Sequence, residues 1–217
     1  MEFEVAPASD DDVRQIIHIM FKAYGGKNEY INAVFPRGLT PEGEDLTAQR
    51  LLFIKNIAPG IKWEKVTDSA NGTIVGGAMW ALHEDAKPQR FPLDGPPGTW
   101  ESDAEKEYAQ ALFNSLGVDE HKYYEENELP FMRLVIMAIE PAYQRRGAGA
   151  ELLKSGLKVA DEAKAATTLI ASPEGKGLYE KHSFTTIQER DLDVPERFSD
   201  KPKYHIWSMV RPRKHTL

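Results

Sequence analysis

The 217-residue sequence predicts a mixed α/β layer fold. Three observations point there. Stretches with apolar residues at helical spacing alternate with short strand-like runs. Asn71-Gly72 separates two of those runs as a hairpin turn would. The apolar run ending at Ile139 leads, after a short turn, into the glycine-rich start of a long amphipathic helix at Gly147.

Phe3-Glu4-Val5 alternates and predicts a first strand. Ser9 followed by Asp10, Asp11 and Asp12 is a helix start, with acidic side chains at the positive end of the dipole. Val13, Ile16, Ile17, Met20 and Phe21 follow at helical spacing, and Gly25-Gly26 stops the helix. Glu29 to Phe35 predicts a short second helix. Leu46 to Ile57 predicts another, with Leu51, Leu52 and Ile54 as core contacts. Ile61 to Asp68 and Thr73 to Leu82 form the hairpin, with Gly76-Gly77 as a bulge or close approach.

The pattern changes over about 83–130. Pro88, Pro92, Pro96 and Pro97 precede a polar helical stretch, Glu101 to Ser115, and an acidic aromatic patch, Tyr123-Tyr124-Glu125-Glu126. This reads as an insert, functional or disordered, partly ordered by its helix. Met132 to Ile139 predicts the central strand. Gly147 to Ala166 predicts the long helix, with Leu152, Leu153, Leu157, Val159 and Ala163 buried. Thr167 to Ala171 is a short buried strand and Gly175 to His182 a helix. Phe184 to Leu192 and Tyr204 to Val210 are closing antiparallel strands. Apart from the short Glu29–Phe35 helix, the order is β-α-α-β-β-(insert)-β-α-β-α-β-β. The whole chain, 1–217, reads as one domain carrying the insert.

The formal net charge of -7 argues against a nucleic-acid partner. The basic cluster Arg211-Pro212-Arg213-Lys214-His215 is expected to be a frayed, solvated tail. The absence of cysteine removes disulfides, thiolate zinc sites and a Cys nucleophile, and no metal is expected. Met1-Glu2-Phe3-Glu4 lacks the features of a signal peptide, and no run approaches the roughly 20 apolar residues of a membrane span. A cytoplasmic location with no membrane partner is expected; monomer and homodimer both stay open.

The turn after Ile139 carries the chemistry. Gly147 and Gly149 leave the backbone accessible, and the free N–H groups of a first helical turn attract phosphate oxygens. Arg145 and Arg146 add charge. A P-loop needs Lys-Ser or Lys-Thr after the glycines, and none follows. A dinucleotide fingerprint needs a third glycine where Leu152 stands. The whole string Gln144-Arg145-Arg146-Gly147-Ala148-Gly149 fits Gln/Arg-x-x-Gly-x-Gly/Ala. Leu178-Tyr179-Glu180-Lys181-His182-Ser183-Phe184 follows at a suitable distance. Together these resemble the acetyl-CoA signature and the Leu-Tyr-Glu-Lys-x-Gly-Phe element of the GNAT superfamily of N-acetyltransferases. The resemblance covers roughly Met132 to Phe184, and more loosely Val66 to Trp80. The layout is also similar to fungal GNAT proteins of small-molecule type.

The resemblance implies a mostly antiparallel sheet flanked by helices, with two parallel strands splayed at the acetyl-CoA site. It implies that the backbone of Met137, Ala138 and Ile139 meets the pantetheine arm and the thioester carbonyl. Gln144, Arg145, Arg146, Gly147, Ala148, Gly149 and Ala150 would then wrap the pyrophosphate. Tyr179 matches the tyrosine that protonates the CoA sulfur. Ser172 stands where the family often carries Asn. Ser183 stands where it carries Gly, at a cost of about 1 kcal/mol if the backbone there is left-handed. Histone-type members place a basic glutamate at the position of Arg133, and a guanidinium cannot act as that base. His83 and Glu84, at the end of the preceding strand, are the substitutes, with Glu174 a third. His182 is expected at a helix C-terminus, interacting with the dipole.

The implied reaction is direct attack of an amine on acetyl-CoA, with no acyl-enzyme. The acceptor pocket is expected among the N-terminal helices, the insert and the last hairpin, with lining drawn from Tyr24, Tyr30, Phe35, Trp80, Trp100, Tyr123 and Tyr124. Acidic residues in the insert and Arg133 favour a small-molecule amine. The alternatives are a protein or peptide N-acetyltransferase and a non-catalytic acyl-CoA-binding module.

Overall fold

In the computed structural model, which describes residues 2–58 and 60–214, the chain opens with β1 (Phe3–Pro7), α1 (Asp10–Tyr24), α2 (Glu29–Val34) and α3 (Pro41–Ile57). The hairpin β2 (Ile61–Asp68) and β3 (Thr73–His83) follows. Two helices, α4 (Asp103–Leu116) and α5 (Val118–Glu126), lead to β4 (Phe131–Ile139) and α6 (Ala148–Glu162). The chain closes with β5 (Ala166–Ala171), α7 (Pro173–Glu180), β6 (Thr185–Asp191) and β7 (His205–Arg211).

Local chemistry sets these bounds. Ser9 caps α1 in a reciprocal box: its hydroxyl accepts from the Asp12 N–H, and the Asp12 carboxylate accepts from the Ser9 N–H. Gly25 closes that helix at φ 56°. α3 starts earlier than its apolar residues suggest, because the Thr40 hydroxyl accepts from Gly43 N–H at 3.1 Å and Pro41 occupies the first turn. The insert is more ordered than expected. Ser102 caps α4, and the Tyr123-Tyr124 patch lies on α5 rather than in a loop.

The strands form one sheet in the order β1-β2-β3-β4-β5-β7-β6. All pairs are antiparallel except β4 with β5. Alternation along β3 puts the two cores on opposite faces. Met79 joins Val13, Ile16, Ile17 and Met20 of α1, whereas Ala78 and Trp80 join Leu152, Leu153 and Ala160 of α6.

Trp80, 1% exposed, is the keystone of the α6 face. Its indole N–H donates to Glu64 at 3.0 Å, and Glu64 also accepts from the Ser155 hydroxyl at 2.6 Å. Gly156 lies against the ring: a β-carbon there would stand 2.1 Å from Trp80 Cζ2. Gly156→Ala gains about 1 kcal/mol of helix propensity. Overpacking a pinned indole opposes that with about 1–3 kcal/mol. The variant should melt several degrees lower, and Trp80→Leu should partly rescue it. A melt at or above wild type would contradict this α6–β3 spacing.

Three expectations are corrected. Val159 is 41% exposed, because the buried stripe of α6 runs through Leu152, Leu153, Gly156, Leu157 and Ala160. Ile54, although in phase with Thr47 and Leu51, is 39% exposed, because the buried part of α3 ends at Leu51 and Ile54 lies on the wall of an open cleft. The C-terminal basic cluster is no frayed tail over its described part. Arg211 lies in β7 and pairs with both Asp161 oxygens at 2.8 and 3.1 Å, and Lys214 reaches Asp161 at 2.7 Å. His215 lies outside the described residues. Among the described residues no helix is long and apolar enough to cross a membrane.

Candidate active site

The site begins where the parallel pair fails. β4 and β5 are in register from Phe131↔Ala166 to Leu134↔Leu169 and no further. On the other edge of β4, Leu134 faces Trp80 and Ile136 faces Met79, so Val135 is an extra residue. Such a bulge bends a strand, and here β4 leaves β5 just past it. The Glu140 N–H donates to the Val75 carbonyl at 2.8 Å. In an antiparallel ladder alternate residues share that direction, so Ala138 turns its backbone groups to β3. Met137 and Ile139 turn theirs into the splay. The Ile139 carbonyl accepts from Gln144 Nε2 at 3.0 Å on that side.

The turn to α6 is built from left-handed residues. Arg145 has φ 61° and Gly147 φ 104°. Gly147 supplies no capping side chain, and its carbonyl accepts from the N–H groups of Ala150 and Glu151. Ala148 and Gly149 therefore hold the free N–H groups of the first turn. Met137, Ala138, Ile139, Gln144, Arg145, Gly147, Gly149, Ala150, Ser172 and Tyr179 all line one cleft of about 1790 Å³. Arg146 and Ala148 lie off its wall. The Arg146 guanidinium sits 5.6 Å from the Tyr143 ring centre, and Ala148 is buried against the α6 core.

α7 fixes the opposite lip. Ser172 is its N-cap by position, yet its hydroxyl makes no cap hydrogen bond and stays available to the cleft. Tyr179 leans back along the helix over Gly175, as helical side chains do. A β-carbon at Gly175 would lie 3.0 Å from its ring and 3.6 Å from its hydroxyl. Phe184 packs edge-on at 5.9 Å. Burial alone pushes the Tyr179 phenol well above its ordinary pKa, so it is a protonated donor at neutral pH. Ser183 does adopt a left-handed backbone, φ 68°. The His182 Nδ1–H reaches the Leu178 carbonyl at 2.9 Å, at the end of α7.

Around the splay stand Tyr24, Tyr30, Tyr204 and Glu174, all on the cleft wall. Burial raises the Tyr24 phenol most, and the Glu174 carboxylate adds to it. Asn28 Nδ2 donates to the Tyr204 hydroxyl at 2.7 Å, and the Tyr30 and Tyr204 rings stack at 6.4 Å. Tyr204 carries no sequence signal; its role emerges because β7 passes beside α2. Of the expected aromatics, Tyr24, Tyr30 and Phe35 line the cleft. Trp80 is core. The Trp100 N–H is tied to the Ala33 carbonyl. Tyr123 and Tyr124 pack on Phe131, away from the cleft wall.

The base expectation needs correction. Glu84 is exposed and off the cleft wall. His83 is on the wall, and burial with Arg133 lowers its pKa, leaving it neutral. But Ala78 is the residue opposite Met137, and five residues separate it from His83, about 16 Å along the strand. Arg133 lies between and is held by Glu120 of α5, Nη2 to Oε2 at 2.6 Å.

A bulged central strand, a parallel neighbour that parts from it and a helix N-terminus beside the gap meet at one end of the cleft. Residues 108–193 match the family model described as the acetyltransferase (GNAT) domain, a span that includes β4, the glycine turn and Tyr179. No curated protein matches the chain. Solved structures share its fold at low identity. One is described as histone acetyltransferase HPA2 and related acetyltransferase from Corynebacterium glutamicum, 19% identical, TM-score 0.62, over 100% of this chain and 99% of that one. Arylalkylamine N-acetyltransferase 2 from Aedes aegypti is 12% identical, TM-score 0.69, over 98% and 99%. The C-terminal condensation domain of Ebony, in complex with beta-alanyl-dopamine, is 14% identical, TM-score 0.72, over 97% and 99%. The matched span, residues 108–193, resembles the GNAT acetyltransferase domain, whose family uses acetyl-CoA as co-substrate.

Proposed function

We propose that the protein transfers the acetyl group of acetyl-CoA to the primary amine of a small molecule by direct attack, without an acyl-enzyme. The observation that carries this reading is the splay. Met137 and Ile139 turn backbone groups into a gap lined by Tyr179 and the Ser172 hydroxyl, with the Ile139 carbonyl engaged by Gln144. These residues fit acetyl-CoA. Met137 and Ile139 would hold the pantetheine, with Ser172 across from them. The first turn of α6, with Gln144 and Arg145, would hold the pyrophosphate. The Met137 N–H is suited to polarise the thioester carbonyl.

The balance of the step is simple. The amine nitrogen forms a bond to the acetyl carbon, the carbon–sulfur bond breaks, and Tyr179 donates its proton to the departing sulfur. Glu174, on the same end of the cleft, accepts the proton the amine loses. A small acceptor is favoured over a peptide, because insert residues between Pro88 and Pro96 form part of the cleft wall.

Free thiol released from acetyl-CoA across a panel of amines and peptides tests the reading. Amine-dependent release is expected, with Glu174→Gln lowering kcat. Tight acetyl-CoA binding with no release from any amine would support a binding module instead.

A further inference from the structure

We propose that the acceptor is a primary amine carrying a bulky apolar tail, seated between the last turns of α3 and the insert. The proposal rests on the acetyl-transfer reading above and adds the chemistry of the acceptor. Phe53 is 63% exposed, Ile54 39%, Ile57 62% and Phe91 70%. All four large apolar side chains line the same cleft as Met137 and Tyr179, with Pro88 and Pro92 beside them. Phe53 and Ile57 lie off the stripe through which α3 packs, and Ile54 continues that stripe past its last buried residue, Leu51. A cluster of this kind in water marks a binding surface.

Concavity and charge select the occupant. The cleft, about 1790 Å³, exceeds the roughly 300–1,000 Å³ of an ordinary small-molecule pocket. The splay accounts for one end only, and the apolar cluster forms part of the remaining wall. The carboxylates on that wall are Glu174 at the acetyl end and Asp94, which Lys106 approaches at 3.7 Å. A second ammonium group has no other carboxylate to meet, so a polyamine or lysine-rich peptide fits poorly. Two guanidiniums of the wall are already engaged, while Lys27, Arg145 and Lys181 also line it. The Arg50 guanidinium is stacked 5.1 Å from both Phe35 and Trp100 and donates to the Val34 carbonyl at 2.6 Å. Arg133 is held by Glu120.

The test is a homologous series of n-alkyl amines and arylalkyl amines, with spermidine and a lysine peptide as contrasts, followed by CoA release. The expected kcat/KM rises about three- to fourfold per added methylene until the cleft is filled. Phe53→Ser with Ile57→Ser, checked as folded by its thermal melt, flattens that slope. Release that ignores tail length, or that favours spermidine or the peptide, overturns the proposal and leaves acetyl transfer standing. No release from any amine removes the acetyl-transfer reading and this proposal together.

Discussion

Tyr179→Phe should lower kcat for acetyl transfer by about 10²- to 10⁴-fold, the range for loss of a positioned acid, while acetyl-CoA affinity stays near wild type. The substitution removes one oxygen and little else. The ring is seated over Gly175 and against Phe184, and phenylalanine fills the same space. What disappears is a proton held at the cleft wall by burial. The sign of the shift sets the pH behaviour. Desolvation disfavours the phenolate, so the donor form persists through neutral pH and past 10. Wild-type activity should therefore show no alkaline fall from this group below pH 10, and the variant should be low at every pH. Single-turnover rates with pre-bound acetyl-CoA, beside a direct measure of its affinity, separate chemistry from binding. Equal turnover in the two proteins would remove the acid role from Tyr179.

The place of Tyr179 on the cleft wall was legible in the sequence because motif and geometry coincide locally. The Leu178-to-Phe184 string sets a helix, and a helix sets which residue lies over which. The glycine turn was legible for the same reason, since Gly147 must adopt φ 104° and no branched residue does so readily. Strand positions came through as well: alternation and the Asn71-Gly72 turn placed β2 and β3 within a residue or two. What failed was long-range. Trp80, Tyr123 and Tyr124 look like pocket aromatics in sequence, but a ring's destination depends on which element crosses above it. Gly156 decides Trp80, and Phe131 decides the two tyrosines. Glu84 failed by one residue, because successive side chains on a strand face opposite ways and the strand ends at His83. Phe53 and Ile57 did leave a signal: they are apolar residues off the stripe of their helix, beside the expected core contacts Leu51, Leu52 and Ile54.

Glu120→Leu should destabilise the fold by about 3–5 kcal/mol, the usual cost of stranding one partner of a buried ion pair. Glu120 is 2% exposed and reaches Arg133 of the central strand at 2.6 Å. Burial works against the Arg133 charge, and the Glu120 carboxylate outweighs it, leaving the guanidinium pKa raised. Without Glu120 that charge faces hydrophobic neighbours on one side and the cleft on the other. Cleft water reaches Arg133, whose side chain is 31% exposed, so the lower end of the range is expected. At about 2–4 °C per kcal/mol for a chain of this size, the melt should fall by roughly 6–12 °C. Glu120→Leu with Arg133→Met should recover most of it, because an apolar pair needs no compensation. The single variant should also raise KM for the amine more than it lowers kcat, since a released cation in the cleft repels an ammonium substrate. A shift in kcat alone would place Arg133 in the chemical step. A melt within 2 °C of wild type would mean that the insert is held to β4 by packing alone, through Tyr124, Phe131 and the Tyr124–Thr168 hydrogen bond.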